Sequence, residues 1–87
     1  MIEVTQISDS GHGWYKVSLE EFKGMKVDEF ISSYSYVDKL YIYLEEDCDF
    51  PVFHVACGGK GIGIKWMADV FHKGDSPIRR KARFERI

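Results

Sequence analysis

Three groups of side chains in this 87-residue sequence have types that could do chemistry: a run of carboxylates, a scatter of cysteines and histidines, and glycines around a lysine. Glu45, Glu46, Asp47 and Asp49 are dense enough to bind a divalent cation or to act as paired carboxylates. The EF-hand order and its turn glycine are missing, and neighbours on a strand face opposite sides, so the reading is an acidic turn with Asp49 capping a helix. Cys48, His54, Cys57 and His72 include zinc-ligand types, with His54 and Cys57 one helical turn apart, but the spacing matches no pair of close ligand knuckles. Gly58, Gly59, Lys60, Gly61 and Gly63 invite a phosphate-loop reading. In a Walker loop, Gly-Lys precedes Ser or Thr at a helix start, whereas here Gly-Lys-Gly follows a helix and leads into a strand. His12 beside Asp9 and Ser10 is a conceivable general base, but no nucleophile elbow accompanies it. No catalytic residue, metal or cofactor is assigned, and the chain leans away from enzyme chemistry.

Binding chemistry has better candidates. If Leu40, Ile42 and Leu44 point inward along a strand, Tyr41 and Tyr43 point outward. Outward tyrosines make good interface anchors, because they bury large area at low rotamer cost. With Trp14, Tyr34 and Tyr36, and beside Glu45, Glu46 and Asp47, they form an expected partner-binding patch. The competing reading is that a helix or the tail covers these rings. A second candidate is the C-terminal segment, where Arg79, Arg80, Lys81, Arg83 and Arg86 surround Phe84. Cations for phosphate and an aromatic for stacking suit a nucleic acid, while the same charges also suit an edge strand guarded against aggregation.

Charge is unevenly distributed for a chain of net −2. Residues 38–49 hold five acids (Asp38, Glu45, Glu46, Asp47, Asp49) against Lys39, a local −4. Residues 73–87 hold six bases (Lys73, Arg79, Arg80, Lys81, Arg83, Arg86) against Asp75 and Glu85, a local +4. Such polarity acts on partner choice and encounter rate more than on fold. Two cysteines are too few for a disulfide framework, the start lacks an apolar signal region, and no apolar run reaches membrane-helix length. The expectation is a cytoplasmic protein without membrane association, a monomer or a homodimer.

The elements that must position these residues follow from periodicity. Ile2, Val4 and Gln6 alternate as a strand, residues 8–13 read as a turn, and residues 14–17 as a second short strand. Ser18 and Glu21 form a capping-box pattern for a helix over residues 19–23, with Gly24 free to end it in the left-handed conformation. Residues 27–31 are compatible with another helical turn, but Ser32 and Ser33 interrupt the pattern before Tyr34, Ser35 and Tyr36, so residues 27–36 read as mostly irregular, and residues 39–44 as a strand. A second helix starts after Asp49 with Pro51 in its first turn, buries Phe50, Phe53 and Cys57, and closes at Gly58 and Gly59. Residues 62–70 alternate over the longest stretch in the sequence. Ser76 and Pro77 break that strand, and residues 76–87 form an edge strand or a basic arm. The fold class is α+β, one domain over residues 1–87: an antiparallel sheet of about four to five strands with two short helices on one face.

One pattern runs through much of the chain. His12-Gly13-Trp14, then Val17, Ile31-Ser32, Tyr34-Ser35-Tyr36, Tyr43-Leu44-Glu45-Glu46-Asp47-Cys48-Asp49 and Ile78-Arg79 resemble small uncharacterised proteins encoded by bacteriophages and prophages. The resemblance implies a context in which small proteins bind and inhibit host macromolecules, defence nucleases among them. On that basis the expected function is noncatalytic binding of a host protein in the bacterial cytoplasm. The alternative is nucleic-acid binding through Arg79, Arg80, Lys81 and Arg83.

Overall fold

The computed structural model describes residues 1–85, and Arg86 of the basic segment lies outside the described residues. The chain opens with β1 (Ile2–Asp9) and β2 (Gly13–Ser18), an antiparallel hairpin. The Asp9 carboxylate accepts from the Gly11 and His12 N–H groups and so closes its turn. Ser18 then accepts from the Glu21 N–H and starts α1 (Leu19–Met25). That helix passes through Gly24, and the left-handed residue is Lys26, at φ 57°. A 3-10 turn at Asp28–Phe30 leads to β3 (Tyr36–Val37) and β4 (Tyr41–Glu45). Next come α2 (Phe50–Gly59), β5 (Ile64–His72), a second 3-10 turn at Pro77–Arg80, and β6 (Ala82–Arg83).

The expected four to five antiparallel strands become a mixed six-stranded sheet in the order β5-β1-β2-β4-β3-β6. Two-residue strands β3 and β6, too short to show a period, extend one side. On the other side, the path from β4 through α2 returns β5 beside β1 in parallel. A connection of that length, with a helix in it, is what a parallel neighbour requires.

Opposite parities of the strands feed two apolar clusters. Ile2, Val4, Val17, Ile42 and Leu44 pack with Phe22 and Met25 of α1 and with Phe50, Phe53 and Cys57 of α2. Trp14, Tyr36 and Tyr43 pack instead with Ile78 from the C-terminal segment. Strands β2, β3 and β4 are therefore covered on their second face, and that cover arrives last in the chain. Phe84 closes the far end by joining the helix-side cluster.

Candidate functional site

Much of the aromatic and acidic patch expected from the sequence turns out to be structural. Trp14, Tyr36 and Tyr43 are buried, because the second sheet face is roofed by Ile78 and its neighbours. The expectation that Tyr43 points outward to solvent is corrected: its parity is right, but its hydroxyl donates to Asp38 beneath that roof. Burial, reinforced by that carboxylate, raises the Tyr43 phenol well above its ordinary range. Leu40, expected inward, is exposed in the turn before β4. Glu45 is buried as well, and accepts from the Asp47 and Cys48 N–H groups to shape its own turn.

Asp49 likewise does something other than cap α2. Its side chain makes no cap bond; it accepts from the Ser32 N–H, the Ser32 hydroxyl and the Ser35 hydroxyl. Ser35 in turn accepts from the Glu45 N–H. These bonds pin residues 32–35 against the start of α2. Of the expected patch, Tyr34 and Asp47 are exposed and Tyr41 and Glu46 are half-buried. Tyr41 lies under the Lys16 ammonium, 4.0 Å from its ring centre.

The basic segment is similarly engaged. Arg79 makes a paired contact with Asp9, Nε to Oδ2 at 2.7 Å and Nη2 to Oδ1 at 3.0 Å, and its guanidinium lies over Trp14. The Arg79 bond, with further N–H donors from Ser76, Gly11 and His12, overcomes burial and holds the Asp9 carboxyl far below its usual range. Lys81 meets Asp38 at 3.1 Å, and Arg83 donates to the Ser33 carbonyl while lying over Tyr36. Arg80 is exposed, whereas Phe84 is buried and has no face free for stacking. Three of the four cations therefore fasten the C-terminal segment to the sheet.

The types that suggested chemistry stay apart. Cys57 is buried in the helix-side cluster, where burial raises its thiol, while Cys48 is exposed on the acidic turn. Among the described residues no group of three or more His, Cys, Asp or Glu could hold a metal ion. Residues 58–63 close α2 and turn into β5, with Gly61 at φ 69°. His12 stands edge-on to Trp14, its ring centre 5.8 Å away.

One exposed feature lies where periodicity did not point. The long alternation over residues 62–70 marks a strand without fixing its place in the sheet, and β5 is an edge strand of nine residues whose only described sheet neighbour is β1. Trp66 is 53% exposed, Met67 49%, Val70 37% and Phe71 66%. Trp66 extends this surface onto the helix layer through Tyr15, Phe50 and His54, with ring centres 5.8, 5.8 and 6.4 Å away. Tyr15 stacks on Phe50 at 4.0 Å and braces the base of the patch. The opposite edge is blunt, since β6 has two residues. Edges are usually guarded by brevity, proline, charges or a bulge; β5 is long and has no proline, and its guards are Lys65, Asp69 and the register shift against β1 between Val4 and Gln6. What this arrangement can do is receive another strand, through main-chain hydrogen bonds and apolar side chains.

No protein-family model, curated protein or solved structure matches the chain. No helix among the described residues is long and apolar enough to cross a membrane.

Proposed function

We propose that this chain is a noncatalytic protein-interaction domain that engages its target by strand addition at the β5 edge. The observation that carries this reading is a nine-residue edge strand presenting Trp66, Met67, Val70 and Phe71 to solvent. Large apolar side chains left exposed along an unpaired strand edge are what an added strand would cover. The phage resemblance supplies the class of target: a host protein in the bacterial cytoplasm, inhibited by being bound. Tyr34 and Asp47, exposed, and Glu46, half-buried, remain of the expected patch as a separate contact surface.

The experiment is capture from bacterial lysate on the tagged protein, with and without nuclease, comparing the native chain with Phe71→Lys. A stoichiometric host protein retained after nuclease and lost with Phe71→Lys is the expected result. A catch that disappears with nuclease would transfer the function to nucleic acid and the basic segment. Capture that survives Phe71→Lys but fails with Tyr34→Ala or Glu46→Lys would move the site to the acidic turn.

A further inference from the structure

The β5 edge has a pattern suited to one occupant in particular. Its register with β1 pairs Val4 with Trp66 and Gln6 with Asp69, so Met67 and Ala68 together stand against Thr5 alone. The extra residue is a bulge, and a bulge reverses the alternation of side chains along a strand. Before it, Ile64 and Trp66 lie opposite Ile2 and Val4, on the face covered by the helices. After it, Asp69 and Phe71 lie opposite Gln6 and Ser8, on that same face. The side-chain facing of β5 is thus symmetric about its Met67–Ala68 midpoint.

That symmetry permits an antiparallel register that an unbulged strand forbids. Paired about the midpoint with a second β5, Ile64 faces Phe71 of the other copy, Trp66 faces its Asp69, and Lys65 faces its Val70. Directly opposed residues must share a face, and here each pair does. In a regular strand, Ile64 and Phe71 would point to opposite faces and the pairing would fail. Charge selects the same arrangement. A parallel, in-register pair would set Lys65 on Lys65 and Asp69 on Asp69, whereas the antiparallel pair sets Lys65 against Val70 and Asp69 against Trp66, so that no like charges oppose each other.

We propose that, without another partner, this chain is a homodimer joined by antiparallel β5–β5 pairing into one sheet of twice the six strands of a single copy. The interface is isologous and closes on itself, with both helix layers on one side. It rests on the reading of β5 as a docking edge and names the occupant of that edge; a host target then competes with self-pairing.

The test is sedimentation velocity on the full chain from low micromolar to near-millimolar concentration. The comparison includes Phe71→Lys, Val70→Lys and Ile64→Glu, each checked for native circular dichroism. The expected result is a native dimer that becomes monomeric with Phe71→Lys and with Val70→Lys. Mixing Ile64→Glu with Phe71→Lys should restore a dimer about tenfold tighter than either variant forms alone, since each mixed pair joins one native contact to one opposite-charge contact. A native chain that stays monomeric throughout, a dimer that survives both lysine variants, or open-ended oligomers would each overturn the proposal. A monomeric native chain whose lysate capture is still lost with Phe71→Lys would leave the docking edge standing and remove only the self-pairing. Capture unchanged by Phe71→Lys would remove the docking edge itself.

Discussion

Arg79 grips Asp9 across 70 positions of sequence, with two guanidinium nitrogens on the two carboxylate oxygens. Asp9 ends β1, while Arg79 belongs to the segment that roofs the second sheet face through Ile78. The pair therefore joins the first strand to the last layer of the fold. Its carboxylate is fully buried and its guanidinium one-third exposed, at 33%. Breaking such a pair leaves a charge without its partner, which costs more than the pair contributes over an apolar substitute.

Asp9→Asn is expected to destabilise the protein by about 3 kcal/mol at neutral pH, at the low end for a broken buried pair because Arg79 retains some water. Urea unfolding measures it. A loss below about 0.5 kcal/mol would mean that the roof is held by Ile78 packing alone.

Acid should act through the same contacts. The Arg79 bond holds the Asp9 carboxyl below its usual range. Burial pushes the Asp38 carboxyl up, but bonds from Tyr43, the Leu40 and Tyr41 N–H groups and Lys81 outweigh it and pull the group down. Both folded-state values are depressed, so their stabilisation is complete above the unfolded carboxylate pKa near about 4 and fades as pH falls below it. Stability is predicted to decline below about pH 4, and the difference between native and Asp9→Asn proteins to shrink over that range. Equilibrium unfolding at a series of pH values gives both curves.

Tyr43 and Tyr34 should separate structure from binding. Tyr43→Ala empties a buried ring site and leaves Asp38 short of a donor, with an expected cost of about 3 to 5 kcal/mol, while Tyr43→Phe removes only the hydrogen bond and costs about 1 to 2 kcal/mol. Tyr34→Ala, at an exposed position, should stay within about 0.5 kcal/mol of the native protein. Thermal melts of the three variants settle the order.

Asp49→Ala removes the acceptor for three donors, from Ser32 and Ser35, and is expected to cost about 2 to 4 kcal/mol. Amide exchange should accelerate at Ser32 while the first turn of α2 stays protected, because Asp49 makes no side-chain cap bond there. Faster exchange confined to that first turn would restore the capping role.

Features written in neighbouring residues were legible before the fold was known. Ser18 begins α1, Pro51 sits in the first turn of α2, and the alternations of Ile2 with Val4 and of Ile42 with Leu44 supply one face of the sheet. These follow from short-range rules of capping, sterics and side-chain direction, which act within a few residues and survive any tertiary arrangement. The even spacing of Tyr41 and Tyr43 likewise put them on the face opposite Ile42. Tertiary structure alone decided what lay over that face. Ile78 and the Asp9–Arg79 and Asp38–Lys81 pairs reach it from distant sequence, and they turn expected binding residues into core. The same limit applies to β5. Its apolar alternation is equally compatible with a central strand, and only the return through α2 to the side of β1 leaves it at an edge. Periodicity records which residues share a side of a strand; whether that side meets water depends on neighbours that the local sequence does not encode.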